Sequence, residues 1–168
     1  MKNNGELGIR KARMVCFGGI SAAMCVLFQS APVWLPPLGM ALSPLSTVPV
    51  ALIASISPLT GLISYLSAGA LLCTVSFQEA LIFAFSTGLL GLAVGISIKN
   101  KMITRSTICG SVLFCGLTIL LFVFRIHLFG SLIQQFWSIT QLCLAVFSFI
   151  YAAFWSGIMK FVAKRLRL

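Results

Sequence analysis

The strongest limit on how this chain can fold is a long stretch with almost no charge. Within residues 14–98, about 85 residues, Glu79 is the only Asp, Glu, Lys or Arg. A surface exposed to water cannot be built from such a stretch. A surface exposed to lipid can, because the bilayer core disfavours each charged side chain by about 3 kcal/mol. The sequence therefore predicts an integral membrane protein of all-α class.

The basic residues lie in three short clusters, each beside a long apolar segment. They are Arg10, Lys11 and Arg13; Lys99, Lys101 and Arg105; and Lys160, Lys164, Arg165 and Arg167. Under the positive-inside rule, these clusters are predicted to be cytoplasmic anchors that attract anionic head groups. The net charge of +10 then needs no nucleic acid partner. We predict a single domain, residues 1–168, in the cell (inner) membrane, with basic cytoplasmic ends at 1–13 and 160–168.

The apolar segments predict about six transmembrane helices. A span needs about 20 apolar residues, and the candidates are residues 14–31, 41–57, 59–77, 79–98, 108–128 and 139–159. Clusters on one side of a membrane must be separated by an even number of spans, which gives four before Lys99 and two after Arg105. The prediction is a polytopic helix bundle with both termini cytoplasmic. Residues 41–77 form short segments, so a re-entrant hairpin is the alternative there.

This topology places three segments on the outer side, where most of the remaining polar side chains lie. These are a loop rich in Pro and Gly at 32–43, a junction at 76–79, and residues 125–137. The predicted ligand-binding residues are Trp34, Gln78, Glu79, Arg125, His127, Gln134, Gln135, Trp137 and Gln141. An ionisable group within or beside the bilayer is a functional candidate. The alternatives are that Glu79 pairs with Arg125 or that each snorkels to the head groups, and that the tryptophans belong to the interfacial aromatic belt.

Small residues recur at helical spacing in two of the predicted spans. In the first span Gly18 and Ala22 are four positions apart, as are Gly19 and Ala23. In the fourth span the stripe consists of Ala80, Ala84, Gly88, Gly91 and Gly95. Such spacing lets helix backbones approach closely in lipid. It indicates either packing within the bundle or a face that docks a partner membrane subunit.

The residues needed for catalysis are missing from the sequence. There is no Asp and no pair of carboxylates, and His127 has no nearby acid to support it as a general base. Neither a nucleophile elbow nor a nucleotide-binding glycine loop is present. The six cysteines form no CxxC pair, so no zinc site is indicated. We predict a protein that is not an enzyme and has no catalytic residue, metal or cofactor.

Several segments together resemble one family of membrane proteins. They are RKAR at 10–13, GGISAA at 18–23, PPLG at 36–39, VPVALI at 48–53, SPLTG at 57–61 and SAG at 67–69. With the predicted topology, this layout resembles the substrate-binding (S) components of energy-coupling factor vitamin transporters. The resemblance covers most of the chain as topology and about residues 10–69 as sequence.

The resemblance implies a mechanism as well as a fold. In that family a vitamin binds near the outer face beneath the first outer loop, which maps here to residues 32–43. The small face of the first helix, here Gly18, Ala22 and Ala23, meets a membrane coupling subunit, and cytoplasmic ATPases drive toppling of the S component. Ser57-Pro58 stands where the family usually has Gly-Pro.

Two functions follow as hypotheses. The first is a subunit that captures a small, vitamin-like molecule for uptake, which polar groups converging beneath the first outer loop would favour. The second is a non-catalytic scaffold or assembly protein of the cell envelope or a sporulation complex, which a bundle with small-residue stripes on its exposed face would favour. A third, a small oligomeric channel or exporter, would need a polar stripe through the bilayer, and the sequence has none.

Overall fold

The computed structural model describes residues 3–123 and 137–166, and within them the chain is helical with no strand. The α-helices are α1 (Asn3–Trp34), α2 (Pro36–Leu42), α3 (Thr47–Ile56), α4 (Pro58–Val75), α5 (Phe77–Ile82), α6 (Gly88–Ile96), α7 (Met102–Phe122) and α8 (Trp137–Leu166). Short 3-10 turns at Ser43–Ser46 and Ser97–Lys99 and a π turn at Phe83–Thr87 connect or extend them.

Six stretches in the described part of the chain are long and apolar enough to cross a membrane. They are Gly8–Trp34, Pro36–Ile56, Pro58–Val75, Phe77–Ile96, Met102–Phe122 and Ile139–Arg165. The second combines α2, a 3-10 turn and α3, and the fourth combines α5, the π turn and α6. This confirms the predicted all-α membrane bundle and its six helical segments.

The predicted loop at 32–43 is wrong, because most of it is helical. Pro32 lies inside α1 near its end, and α2 begins with Pro36 and Pro37. The first helical positions need no N–H group, so proline fits there and starts a helix as readily as it ends one. The chain turns at Leu35, whose backbone is non-helical. Gly39 then allows α2 to pack against the backbone of Ala31.

The predicted basic loop at 99–105 is also too long. Helix α7 starts at Met102, six residues before the predicted fifth span, so Arg105 lies in its first turns. The Arg105 side chain is only 1% exposed, and its guanidinium donates to the carbonyl oxygens of Ile98 (3.2 Å) and Ser156 (2.9 Å). The prediction that Arg105 anchors the chain to head groups is therefore wrong. Arg105 instead ties the end of the fourth span to α8.

The contacts place all three basic clusters at one end of the bundle. Arg105 joins the segment before Lys99 to α8 about one turn before Lys160. The N-terminal cluster is at the same end, because Arg10 lines a groove with Thr60 near the start of α4, and α4 begins where α3 ends beside Gly95. Both chain ends within residues 3–166 therefore lie on one side of the bundle. That this side is cytoplasmic stays a prediction.

The small-residue stripe of the fourth span serves packing inside the bundle. A Cβ atom on Gly91 would lie 2.6 Å from the Thr47 carbonyl oxygen, and one on Gly95 would lie 2.5 Å from that of Ala51. Glycine at both positions lets the backbones of α6 and α3 touch. Of the two readings of this stripe, packing within the bundle is the one that the contacts support.

Candidate functional site

A hydrogen-bonded polar cluster lies around Gln29, at the end of the bundle opposite the basic clusters. Gln29 is fully buried. Its Oε1 accepts from Ser46 Oγ (3.0 Å) and Thr87 Oγ1 (2.9 Å), and its Nε2 donates to Glu79 Oε2 (2.9 Å). A carboxylate only accepts hydrogen bonds, whereas a hydroxyl can donate or accept, so the contact with Glu79 identifies which end of the Gln29 amide carries the nitrogen. The NH₂ group is therefore directed towards the carboxylate.

Glu79 is the charged member of this cluster. It lies in the first turn of α5, where Ser76 caps the helix by accepting from the Glu79 backbone N–H (3.4 Å). Its side chain is partly buried. Among residues 3–123 and 137–166, its side-chain partner is the neutral amide of Gln29, and no described basic side chain forms an ion pair with it. The predicted alternative partner, Arg125, lies outside the described residues.

The π turn brings Thr87 to the same face as Glu79. In a regular α-helix, residues eight positions apart differ by about 80° around the axis, whereas a turn that absorbs one extra residue reduces this to about 20°. The Gly88 N–H bonds to the Phe83 carbonyl, as a π turn requires. Tyr65 holds the turn from α4, because its hydroxyl donates to the Ala84 carbonyl (2.8 Å) and its ring stacks on Phe83 at 5.6 Å.

Three further predicted ligand residues, Trp34, Gln78 and Gln141, have side chains that the structure describes, and none of the three joins this cluster. Trp34 is 73% exposed at the end of α1, and Gln78 points outward beside Glu79. Gln141 is half-buried on α8, and its Nε2 has no hydrogen-bond partner among the described residues. Trp137 begins α8. Arg125, His127, Gln134 and Gln135 lie outside the described residues, so their predicted roles stay predictions.

Sequence reasoning missed Gln29, Ser46 and Thr87, although one signal pointed to the first. Gln29 is the only Asn, Gln or charged residue in 14–77. A buried amide in a membrane helix is costly unless it is hydrogen-bonded, so an isolated glutamine in an apolar segment indicates a polar partner elsewhere. Serine and threonine give no such signal, because their hydroxyls can bond to the backbone of their own helix.

Two of the three predicted docking residues, Gly18 and Ala22, lie along a groove between α1 and α4. Gly18 and Ala22 are buried, and Ser64 Oγ donates to the Gly18 carbonyl (3.0 Å). Both residues line the groove, which has a volume of about 240 Å³. Ala23 is exposed on the surface of α1. Gly18 and Ala22 thus pack against α4 and leave a shallow groove, while Ala23 faces outward.

Comparison with known proteins adds no relative: no protein-family model, curated protein or solved structure matches this chain. Any functional conclusion therefore depends on the residues and their geometry.

Proposed function

We propose that the chain is the membrane-embedded substrate-capture subunit of an uptake transporter of the energy-coupling factor type, located in the cell (inner) membrane. The observation that supports this proposal best is the convergence of Gln29, Ser46, Thr87 and Glu79 on one point. Four polar side chains from separate segments meet there, and one of them, Ser46, ends the 3-10 turn that directly follows α2. This is the arrangement expected beneath the first outer segment of a capture subunit.

In this mechanism Glu79 and the Gln29 amide form the polar end of the binding site. A carboxylate offers about four acceptor positions, so Glu79 can bind a ligand while it keeps the hydrogen bond from Gln29. Ser46 and Thr87 hold the amide in one orientation, which reduces the entropy lost on binding. Helix α2 packs against the end of α1 at Ala31, close in the chain to Gln29, and the non-helical backbone of Leu35 separates the two helices. Partner ATPases supply the energy through a coupling subunit that docks along Gly18, Ala22 and Ala23.

The proposal is tested by purifying the tagged protein in mild detergent and identifying co-purifying proteins and small molecules by mass spectrometry. We expect a membrane coupling subunit with ATPases, a stoichiometric vitamin-like molecule, or both. Recovery of envelope-assembly proteins with no small molecule would overturn the proposal.

A matched pair of variants ties any recovered molecule to this site. Glu79→Gln keeps an oxygen that can accept from Gln29 and removes the negative charge. We expect it to lower the amount of bound ligand at least tenfold if the ligand bonds to the carboxylate, because hydrogen bonds to charged groups contribute about 1.5–3 kcal/mol. Gln78→Ala, a neighbouring exposed position, is the control and should retain the ligand. Equal retention in both variants would show that the ligand binds elsewhere.

One observation favours the second hypothesis, a non-catalytic membrane scaffold. The Gln29 cluster satisfies its own hydrogen bonds: the amide oxygen has two donors and the amide nitrogen has one acceptor. A cluster of this kind can stabilise a bundle without any ligand. Under this hypothesis, Glu79→Gln and Gln29 variants would change stability and leave the set of co-purifying proteins unaltered.

A further inference from the structure

The groove between α1 and α4 continues to the basic end of the bundle. Its upper part is lined by small and apolar residues of both helices, including Gly19, Ala22 and Ile63. Its lower part is lined by Arg10 and Lys11. The two parts share Met14, Val15 and Thr60, so they form one continuous groove.

The groove has the length of one acyl chain in one leaflet. From Arg10 to Ala22 it follows twelve positions of α1, about 18 Å at 1.5 Å per residue. Half of the hydrocarbon core is about 15 Å thick. The groove therefore reaches from the region of the head groups at the basic end to about the middle of the bilayer.

The interior of the groove is suited to hydrocarbon. Two of its three hydroxyl groups are used within the protein, since Ser64 donates to the Gly18 carbonyl (3.0 Å) and Thr60 donates to Ser57 Oγ (3.0 Å), and the third, on Ser67, lies at the exposed surface of α4. Val15 and Ile63 on its walls are exposed on the outside of the bundle. Gly19 is also exposed, and a Cβ atom there would meet no other atom within 4 Å. A narrow apolar groove of this shape opens sideways, in the direction from which a lipid arrives.

The basic end supplies the complementary charge. Arg10 and Lys11 are exposed at the mouth of the groove, where a phosphate group would sit at the depth of the head groups. Arginine and lysine side chains there attract anionic lipid, and arginine can bind two phosphate oxygens at once. Arg13, the third residue of this cluster, is also exposed but does not line the groove.

We propose that the groove between α1 and α4 is a binding site for an anionic phospholipid, with the phosphate held by Arg10 and Lys11 and one acyl chain lying against Gly18, Gly19 and Ala22. Ligand capture at the Gln29 cluster does not depend on this lipid, because the groove and the cluster lie towards opposite ends of α1, but docking of the proposed coupling subunit does. A coupling subunit that docks on the same face would have to displace the lipid. The lipid therefore occupies that face while no coupling subunit is bound.

The test uses the purified full-length chain in vesicles, with no partner protein present. The vesicles consist of phosphatidylcholine with phosphatidylglycerol, including a trace of phosphatidylglycerol that carries a diazirine on one acyl chain. After illumination, mass spectrometry locates the adducts. We expect them to concentrate at Met14, Val15 and Ile63 and to be several-fold fewer at Ile150 and Phe154, which are exposed apolar residues of α8. Even labelling of α1 and α8 would overturn the proposal.

Charge variants test the head-group contacts. We expect Arg10→Gln or Lys11→Gln to reduce groove labelling by phosphatidylglycerol about fivefold each, and the double variant about thirtyfold. Arg13→Gln is the matched control and should change it little. An equal loss in all three single variants would show a diffuse surface attraction and overturn the proposal. So would equal groove labelling by a phosphatidylcholine probe with the same diazirine chain.

A second pair of variants tests the acyl-chain contacts. Gly19→Leu fills the groove, whereas Gly69→Leu adds the same bulk to α4 where a Cβ atom also meets nothing within 4 Å. We expect adducts at Met14, Val15 and Ile63 to fall several-fold in the first variant and to persist in the second. Equal labelling of the two variants would overturn the proposal. Thermal unfolding of each variant checks its folding, and the charge variants decide the matter if Gly19→Leu is unfolded.

Discussion

Gln29 and Glu79 are 50 positions apart in the chain, and a 2.9 Å hydrogen bond joins the amide nitrogen of one to the carboxylate of the other. The bond connects the first span to the fourth. Because Ser46 and Thr87 both donate to the Gln29 oxygen, the same amide also links the segment before α3 and the π turn. A single side chain thus joins α1, the 3-10 turn before α3, α5 and the π turn at the end of the bundle opposite the basic clusters.

Replacing Gln29 should therefore destabilise the bundle as a whole. Gln29→Leu removes three hydrogen bonds, so Thr87 and Glu79 lose these partners, while the Ser46 hydroxyl keeps its bond to the Ser43 carbonyl (2.7 Å). Since a hydrogen bond between membrane helices contributes on average about 0.6 kcal/mol, we expect a loss of about 2 kcal/mol in the free energy of unfolding. Denaturant unfolding in detergent micelles measures this. The exposed Gln78→Leu is the control, and a loss of equal size there would contradict the role given to Gln29.

Tyr65 should stabilise the π turn mainly through the packing of its ring and to a smaller extent through its hydroxyl. Tyr65→Phe keeps the ring that stacks on Phe83 and removes only the hydroxyl that donates to the Ala84 carbonyl. We expect this variant to lose about 0.6 kcal/mol. Tyr65→Ala removes the ring as well and should lose about 3 kcal/mol or more. Unfolding of both variants in the same micelles measures the difference, and equal losses would show that the hydroxyl carries the whole effect.

Some types of side chain allowed a correct prediction of the fold from the sequence, and others did not. The lack of charge in 14–98 was sufficient to predict an all-α membrane bundle, because lipid excludes charge wherever the helices pack. Pro36 and Pro37 misled the prediction, since proline both ends helices and begins them and only the fold decides which. The Gln29 cluster as a whole could not be predicted from the sequence. Its members come from four segments, and no spacing in the sequence relates them. Glu79 was identified because a lone acid in an apolar segment is conspicuous.

Arg105 shows that membership of a basic cluster in the sequence does not determine where a charged side chain lies in the fold. It belongs to a basic cluster in the sequence, yet it is buried and bonds to the Ile98 and Ser156 carbonyls. The ends of helices carry partial negative charge on their carbonyl groups, and Ile98 lies at such an end. The sequence could not distinguish this use of an arginine from an anchor at the head groups, because both place it beside an apolar segment.

Replacing Arg105 by another residue, including lysine, should therefore lower the stability of the bundle. The guanidinium donates to two carbonyl groups on different segments, whereas the ammonium group of lysine is a compact point charge that cannot span both. Because hydrogen bonds to charged groups contribute about 1.5–3 kcal/mol each, we expect Arg105→Lys to lower the free energy of unfolding by about 2 kcal/mol and Arg105→Met by more. The exposed Lys101→Met in the same cluster is the control. Comparable losses for Lys101→Met and Arg105→Met would contradict this assignment.

The membrane topology can be tested at the two basic clusters that Arg105 connects. Lys101 and Lys164 are exposed, and the Arg105 contacts with Ile98 and Ser156 place them at one end of the bundle. Introducing Lys101→Cys and Lys164→Cys separately, in a chain whose six native cysteines are replaced by alanine, allows labelling of intact cells with a membrane-impermeant maleimide. We expect neither cysteine to be labelled until the membrane is permeabilised, because the positive-inside rule places both clusters in the cytoplasm.

Cysteine at the exposed Trp34, which the topology places outside, is the matched control and should be labelled without permeabilisation. Labelling of Lys101→Cys and Lys164→Cys from opposite sides would contradict an even number of spans between them, and with it the six-span topology.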